Sequence, residues 1–177
     1  MEPVISVNNF SKAFGRKKAV TDLSFSVENK EIFAFLGANG SGKTTTIRAL
    51  LGISAPDTGS LLINGKKYST KESSFLGYLP EERGLYLSSG VLETMIYFGE
   101  LKGLNGSEAK KIAENYLKRV DLADKKEIKI KKLSSGQQQK IQLGITIINS
   151  PKLLILDEPT KGLDPINREL LLDILKE

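Results

Sequence analysis

Residues 37–44 carry side chains and backbone groups that could hold a polyphosphate. They read Gly37-Ala38-Asn39-Gly40-Ser41-Gly42-Lys43-Thr44, which fills every fixed position of the loop that binds phosphate between a strand and a helix. Glycines let successive backbone N–H groups turn toward an anion, and the positive end of the following helix faces that anion as well. We expect Lys43 to reach the β- and γ-phosphates and the Thr44 hydroxyl to bind Mg²⁺. The candidate ligand-binding residues are Gly37, Asn39, Gly40, Ser41, Gly42, Lys43, Thr44 and Thr45.

The hydrophobic patterns on either side of this loop are those that a phosphate-binding loop requires. Residues 32–36 are apolar and predict a short buried strand, while residues 45–51 have helical periodicity and end at Gly52. A glycine-rich turn that precedes a helix by chance is the alternative. The predicted order of strand, loop and helix argues against it.

Two carboxylates follow an apolar run later in the chain. Residues 153–156 read Leu-Leu-Ile-Leu and are followed by Asp157 and Glu158. Acidic residues at the end of a buried strand can hold Mg²⁺ and activate water beside a γ-phosphate. We expect Asp157 to bind the metal through water and Glu158 to polarise the attacking water, so that Glu158 and Lys43 are the candidate catalytic residues. Such a strand is common by itself, and the assignment depends on the phosphate loop upstream.

A third pattern of interest lies at the start of a predicted apolar helix and consists of Ser134, Ser135, Gly136 and Gln137. Hydroxyls, free N–H groups and the positive end of a helix together offer a second phosphate site. Taken in isolation, these residues are better explained by plain capping of the helix. One triphosphate cannot easily occupy two cradles that lie so far apart in the sequence.

The composition excludes several kinds of chemistry. The 177 residues fit one domain, the net charge is +5, and the chain has neither cysteine nor histidine. Disulfides, thiolate metal sites and histidine bases are therefore excluded. No apolar run is long enough to cross a bilayer and no signal peptide is evident, which predicts a cytosolic protein. The basic stretch at residues 125–132 has no interleaved aromatic residues, so we expect a solvated face and no nucleic-acid partner.

The spacing of apolar residues predicts the elements that position these motifs. Alternating patterns and short apolar runs predict strands at residues 4–7, 23–27, 61–63, 75–79 and 153–156. Helical spacing predicts two helices between residues 91 and 120, with a break at residues 103–106 and Ser107 as the N-cap of the second. Further helices are expected from residue 135 to about 149 and over residues 166–176.

Taken in order, these motifs resemble the ATPase cassette of the ABC family, and the resemblance covers the whole chain. It is carried by the phosphate loop, residues 133–137, residues 153–158 and Gly162-Leu163-Asp164. It implies an α/β P-loop NTPase fold, with a RecA-like core, a mostly parallel sheet, an N-terminal antiparallel β subdomain and a helical insert. Residues 1–177 would form one domain, with the ATP-binding core at residues 1–80 and 150–177 and the insert at residues 81–149.

The resemblance also implies cofactors and site residues. ATP and Mg²⁺ would be bound, and Ser134, Ser135, Gly136 and Gln137 would form the signature motif that completes the ATP site of an opposite subunit. Asp164 matches the loop that couples the two sites. Phe14 falls where the family stacks an aromatic ring on adenine, although a core or turn aromatic is the simpler interpretation of that residue alone. Ser135 stands where the family usually has glycine.

Glu81 is the other departure from the family pattern. It stands where the family usually places a glutamine that touches Mg²⁺ and the attacking water. The resemblance therefore implies Glu81 as a catalytic residue and as a metal ligand, together with Thr44 and Asp157. A carboxylate is a competent hard ligand but adds negative charge near the γ-phosphate, so we expect altered Mg²⁺ affinity or coupling more than a loss of binding.

The function implied by the resemblance is the ATP-hydrolysing subunit of a membrane transporter. Two such subunits, identical or different, would close on two MgATP and drive a transmembrane permease subunit from the cytoplasmic face of the membrane. Residues 77–86 resemble the branch that contains sodium-efflux and ABC-2-type exporters, so we expect export. The permease would dock on the helical insert. The candidate docking residues are apolar or aromatic, and we expect most of them to be helix core instead, because apolar residues at helical spacing usually are: Leu85, Tyr86, Val91, Leu92, Met95, Tyr97 and Phe98.

The end of the sequence bears on the alternatives. The family continues beyond the last predicted helix into a strand whose histidine contacts the γ-phosphate, and this sequence ends at Glu177. We therefore expect a C-terminally incomplete cassette. A module that binds ATP without efficient hydrolysis and a soluble ABC ATPase of DNA repair or translation are the alternatives. A GTPase is less favoured, because the chain has no Asn-Lys-x-Asp element.

Overall fold

The computed structural model describes residues 2–69, 74–82 and 84–176. It divides the chain into two compact units, Met1–Glu72 and Ser73–Glu177. In the described parts of the chain, no helix is both long enough and apolar enough to span a membrane.

The first unit is built on a three-stranded antiparallel sheet with the order β2-β1-β3. The strands are β1 (Ile5–Phe14), β2 (Lys17–Val27) and β3 (Thr58–Ile63), and a single helix, α1 (Lys43–Leu50), follows the phosphate loop. Strands β1 and β2 form a hairpin in which Ile5 pairs with Val27 and Phe14 with Lys17. Both strands extend well beyond the alternating segments that predicted them, because the hairpin brings the polar residues between those segments into the ladder as well.

The buried strand predicted at residues 32–36 is not formed. Residues 32–36 have no regular secondary structure, and Ile32 and Leu36 are 94% and 86% exposed. Phe33 and Phe35 instead lie against the ring of Phe25, with centroid separations of 5.1 and 5.5 Å. A single strand has no hydrogen-bonding partner of its own, so an apolar run becomes a buried strand only where a neighbouring strand pairs with it. None of the described strands pairs with this one.

The second unit combines helices with a short parallel sheet. Strands β4 (Leu76–Leu79) and β5 (Leu153–Leu156) pair in register from Leu76 with Leu153 to Leu79 with Leu156. The helices are α2 (Val91–Leu101), α3 (Gly106–Arg119), α4 (Ser135–Ile147) and α5 (Pro165–Lys176), with 3₁₀ turns at Ala123–Lys125 and Ile130–Lys132. Fully buried side chains such as Met95, Leu117 and Ile141 form the core between α2, α3 and α4.

Helix α3 begins differently from the expectation. Its N-cap is Asn105, whose side-chain oxygen accepts a hydrogen bond of 2.9 Å from the Glu108 N–H, whereas Ser107 lies within the first turn. Both residue types cap helices well. Asn105 prevails because it lies three residues before the Glu108 N–H, which donates to it, and because its side-chain amide also donates to the Glu108 carboxylate.

Candidate nucleotide site

The phosphate loop closes tightly on itself ahead of α1. Gly42 is the N-cap of α1 with a φ of 97°, and a Cβ there would lie 2.6 Å from both the Ala19 carbonyl oxygen and a Val20 methyl group. Only glycine fits this conformation and this space. A Cβ at Gly37 would likewise lie 2.5 Å from the Ser41 hydroxyl. Glycine is therefore favoured at position 42 by the backbone conformation and the proximity of β2, and at position 37 by the close approach of Ser41.

Lys43 lies across this loop. Its Nζ donates hydrogen bonds to the carbonyl oxygens of Gly37 at 2.8 Å and Ala38 at 3.2 Å. No side chain caps α1, so the N–H groups of its first turn, at Lys43, Thr44 and Thr45, have no intrahelical acceptor. An ammonium group and uncapped N–H groups at the positive end of a helix suit a polyphosphate, so the residues present fit this part of ATP.

Phe14 lies at the end of β1 and is 56% exposed, which argues against the core role that the residue alone would suggest. Lys12 covers one face of the ring, with Nζ 5.6 Å from the centroid. Lys12 is held in turn by Asp57, whose carboxylate oxygens accept from Lys12 Nζ and from the Ala13 N–H, both at 2.7 Å. These hydrogen bonds hold the pKa of Asp57 below its ordinary value, and the one from Lys12 has the larger effect.

Asp157 and Glu158 follow β5 in the second unit, as predicted. Asp157 is 3% exposed, its N–H donates to the Leu79 carbonyl oxygen at 2.9 Å, and its Oδ2 is buried without a hydrogen-bond partner among the described residues. A buried carboxylate oxygen is costly unless a cation or a donor satisfies it. Hydrated Mg²⁺ would do so, and the described residues include no cluster of three acidic side chains that could hold a metal alone. A lone buried carboxylate oxygen suits Mg²⁺, because this ion takes few protein ligands and several oxygens from phosphate and water.

Glu158 has a backbone conformation that is rare for its residue type. Its φ is 54°, and its side chain is exposed beside the buried Asp157. A non-glycine residue in the left-handed region is uncommon and is often found at functional sites. The carboxylate is thus available to a water molecule at the end of β5.

Glu81 follows β4 and is paired with a residue that the sequence reasoning missed. Lys161 Nζ donates to Glu81 Oε1 at 2.5 Å. The hydrogen bond to Glu81, its charge, and the charges of Glu158 and Asp157 raise the pKa of Lys161 above its ordinary value. No local pattern in the sequence indicates this contact, because it depends on the parallel pairing of β4 with β5, which brings the residues after both strands to the same edge.

The signature residues and Asp164 line one pocket of about 410 Å³. Ser134 is the N-cap of α4 and forms a capping box with Gln137, with bonds of 3.2 and 3.0 Å. The capping alternative is therefore realised, but it leaves the N–H groups of Ser135 and Gly136 without an intrahelical acceptor. Asp164 accepts from the backbone and side-chain N–H groups of Asn167, which hold its pKa below the ordinary value.

Most of the predicted site residues are thus grouped within the two units. The phosphate loop, its following threonines and Phe14 belong to the first unit. Glu81, Asp157 and Glu158 lie near one another at the ends of β4 and β5, and Ser134, Ser135, Gly136, Gln137 and Asp164 surround the pocket of the second unit.

A glycine-shaped phosphate loop ahead of a helix and a parallel strand ending in Asp-Glu define a P-loop NTPase of α/β class. The profile of the ABC transporter family matches residues 20–161, and the chain belongs to this family. The predicted fold class is thereby confirmed, with β1, β2 and β3 as the antiparallel subdomain, β4 and β5 as the described parallel sheet and α2 to α4 as the helical part.

Known proteins resemble the chain over nearly all of its length. An uncharacterized ABC transporter ATP-binding protein from Methanocaldococcus jannaschii is 45% identical over 177 residues, which are 100% of this chain and 64% of that protein. The linearmycin resistance ATP-binding protein of Bacillus subtilis is 36% identical over 98% of this chain and 57% of its own length. The chain thus spans between half and two thirds of these curated relatives.

Solved structures show the same fold. The ATP-binding subunit of an ABC transporter superposes with a TM-score of 0.85 at 28% identity, over 97% of this chain and 73% of that one. The protein cbiO1 from Clostridium perfringens, part of the ABC transporter complex cbiONQ, gives a TM-score of 0.80 at 28% identity, over 99% of this chain and 75% of that one.

Proposed function

We propose that this chain is the ATP-binding and ATP-hydrolysing part of an ABC transporter. The observation that carries the proposal is the phosphate loop, in which a left-handed Gly42 leads into an uncapped α1 and Lys43 lies across the loop carbonyls. A loop of this kind binds the phosphates of a nucleotide. We propose residues 1–80 and 150–177 as the ATP-binding core and residues 81–149 as the insert.

The residues have distinct roles in this proposal. Lys43 exchanges its bonds to Gly37 and Ala38 for the β- and γ-phosphates, and the first-turn N–H groups of α1 hold the phosphate oxygens. Thr44 and Asp157 would hold Mg²⁺, with Glu81 as a further ligand, and the metal would offset charge on the phosphates. Glu158 accepts a proton from the attacking water. Phe14 offers its free face to adenine.

Two chains would be needed for a complete site. The pocket formed by Ser134, Ser135, Gly136, Gln137 and Asp164 presents a second set of N–H groups at the start of α4. We propose that this pocket closes on the γ-phosphate held by the loop of an opposite subunit, identical or different. Closure of the two subunits on ATP and their reopening after hydrolysis would then drive transport, which we propose to be export.

The helical part offers a groove for a membrane partner. Of the residues predicted to dock the permease, Val91, Leu92 and Met95 are buried core, whereas Tyr86 and Tyr97 are exposed. The rings of Tyr86, Tyr97 and Phe98 contact one another at centroid separations of 5.4 to 5.9 Å beside a groove of about 620 Å³. We propose that a transmembrane permease subunit docks here and holds the chain at the cytoplasmic face of the membrane.

Thermal unfolding with and without MgATP tests the proposal. Ligand at 100 times Kd adds about 2.7 kcal/mol, which raises the melting temperature of a domain of this size by several degrees. The shift should vanish in Lys43→Ala and persist in Lys67→Ala, an exposed lysine of the same unit. A wild-type protein that shows no shift would contradict the proposal.

A second candidate function is a module that binds ATP without efficient hydrolysis. The unpaired state of residues 32–36, directly before the phosphate loop, favours it, because a loop held on only one side is positioned less firmly. Phosphate release separates the two candidates. Binding accompanied by MgATP-dependent phosphate release supports the ATPase, and binding without release supports the module.

A further inference from the structure

The ion pair between Glu81 and Lys161 is a feature of the second unit that the proposed mechanism leaves unexplained. The two charged atoms lie 2.5 Å apart. Glu81 follows β4 and Lys161 follows β5, so the pair joins the segments that leave two hydrogen-bonded parallel strands at the same edge. Both side chains reach solvent, and such pairs contribute little to stability. We therefore expect the pair to matter for the distribution of charge at this edge of the sheet and not for the stability of the fold.

The Lys161 ammonium is influenced by three carboxylates. Glu81 contacts it directly, and the charges of Glu158 and Asp157 also act on it. Like charges close together repel one another and repel the phosphates of a nucleotide. A neutral residue at position 81 would leave two carboxylates at this edge, whereas Glu81 makes three. Lys161 supplies the positive charge that offsets the third.

The backbone around Glu81 is held from another direction. Gln142, a buried residue of α4, donates from Nε2 to the carbonyl oxygens of Pro80 and Glu82, each at 3.4 Å. The segment on both sides of Glu81 is thus tied to the helix that begins with Ser134. With the backbone held by α4 and the side chain by Lys161, the Glu81 carboxylate has a defined direction at the end of β4.

We propose that Lys161 is a positioning residue for Glu81, which holds this carboxylate beside Asp157 and Glu158 and neutralises it before a nucleotide binds. The proposal rests on the proposed function, since the positioned carboxylate matters only where a triphosphate binds. The Glu81–Lys161 pair carries no net charge, so this edge of the sheet has the same net charge as it would with uncharged residues at both position 81 and position 161.

A double-mutant cycle on nucleotide binding tests this. Calorimetric titration with ATP in EDTA, and separately with MgATP, compares wild type, Lys161→Ser, Glu81→Gln and the double variant. We expect Lys161→Ser to weaken ATP binding in EDTA by about tenfold when Glu81 is present, and by less than about twofold when position 81 is Gln. Lys161→Arg should bind like wild type, and so should Lys131→Ser, which removes an exposed lysine elsewhere in the unit. An equal loss on both backgrounds would show a general charge effect and overturn the proposal.

Melting in the absence of nucleotide tests the pair independently of ATP. Lys161→Glu places a further carboxylate beside Glu81 and should lower the melting temperature by a few degrees, and the exchange Glu81→Lys with Lys161→Glu should regain most of that loss. An exchange that regains nothing overturns the pairing. If the exchange regains the loss but wild type binds neither ATP nor MgATP, the pairing is supported and the proposed function fails.

Discussion

Glu158 gives the sharpest prediction at the scale of the residue. Its carboxylate is exposed beside the buried Asp157, which places it where it can accept a proton from water. We expect Glu158→Gln to lower phosphate release by about 100-fold or more, because the amide cannot act as a base, while MgATP binding is retained. Phosphate release and the MgATP-dependent melting shift measure the two effects. The matched control is Glu169→Gln, an exposed glutamate of α5.

Two results would contradict this role for Glu158. Unchanged phosphate release in Glu158→Gln would mean that a group other than Glu158 accepts the proton from the attacking water. An equal loss of binding and hydrolysis would mean that the residue supports the shape of the site, because a base acts on the chemical step and not on the binding of the nucleotide.

Phe14 gives a prediction that concerns only the base of the nucleotide. The ring is exposed, and Lys12 covers one of its faces, so the other face is free to stack on adenine. Stacking of a base on an aromatic ring contributes about 1 to 3 kcal/mol, so Phe14→Ser should weaken ATP binding by about 5- to 150-fold, and Phe14→Tyr should not. Calorimetric titration measures this. Tripolyphosphate, which has no base, should bind both variants as it binds wild type, and a loss for tripolyphosphate as well would contradict the stacking role.

Individual site residues were predictable to different degrees. The phosphate loop and the Asp157-Glu158 pair were placed from the sequence because their residue types and spacing depend on local backbone geometry. Lys161 and Asp57 were missed because their partners lie far away in the sequence. Glu81 is 80 positions from Lys161, and the partners of Asp57, Ala13 and Lys12, are 44 and 45 positions from it. Contacts at that range are set by strand pairing and not by local pattern.

At the scale of the element, Lys102 links the end of α2 to the end of α4. Its Nζ donates to the carbonyl oxygens of Ile145 and Thr146, at 3.1 and 2.7 Å. Burial lowers the pKa of Lys102 from 10.5 to about 8. Because the unfolded chain holds the proton up to about pH 10.5 and the folded chain releases it near pH 8, the free energy of unfolding should rise as the pH increases between these values.

The comparison of wild type with Lys102→Met measures this effect. Below pH 8 both states carry the charge, and the folded state bears the cost of its burial. Between pH 8 and 10.5 wild type should gain about 1 to 2 kcal/mol relative to the variant, after allowance for the solvent that still reaches the side chain. Urea unfolding at several pH values tests it, with Lys131→Met as the exposed control. Parallel profiles for wild type and Lys102→Met would contradict the shifted pKa.

The elements themselves were largely predictable from the spacing of their apolar residues. Helices α2 to α5 and strands β1 to β5 lie where hydrophobic spacing placed them, with boundaries that moved by several residues at β1, β2 and β3. The prediction of a strand at residues 32–36 was wrong. An apolar run indicates that a segment can be buried, but it does not indicate whether a neighbouring strand is present to pair with it. The N-cap of α3 failed because Asn105 and Ser107 are both good caps, and the choice depends on the donor that each can reach.

At the scale of the whole molecule, two incomplete cradles point to a shared site. The loop at the start of α1 and the pocket at the start of α4 each offer N–H groups that could bind a phosphate. In the proposed head-to-tail pair of chains, the loop of one chain would meet the signature pocket of the other. The two halves of each site would then come from different chains.

Mixing two inactive variants tests this arrangement. Lys43→Ala removes the ammonium of the loop, and Ser134→Asp keeps a good N-cap for α4 while placing a negative charge against the phosphate. Each variant alone should fail to release phosphate, because both sites of its dimer are damaged. A mixed pair contains one site in which an intact Lys43 meets an intact Ser134. The mixture should therefore recover part of the wild-type phosphate release, in proportion to the mixed pairs formed, whereas a site built within a single chain would give no recovery at any ratio of the two.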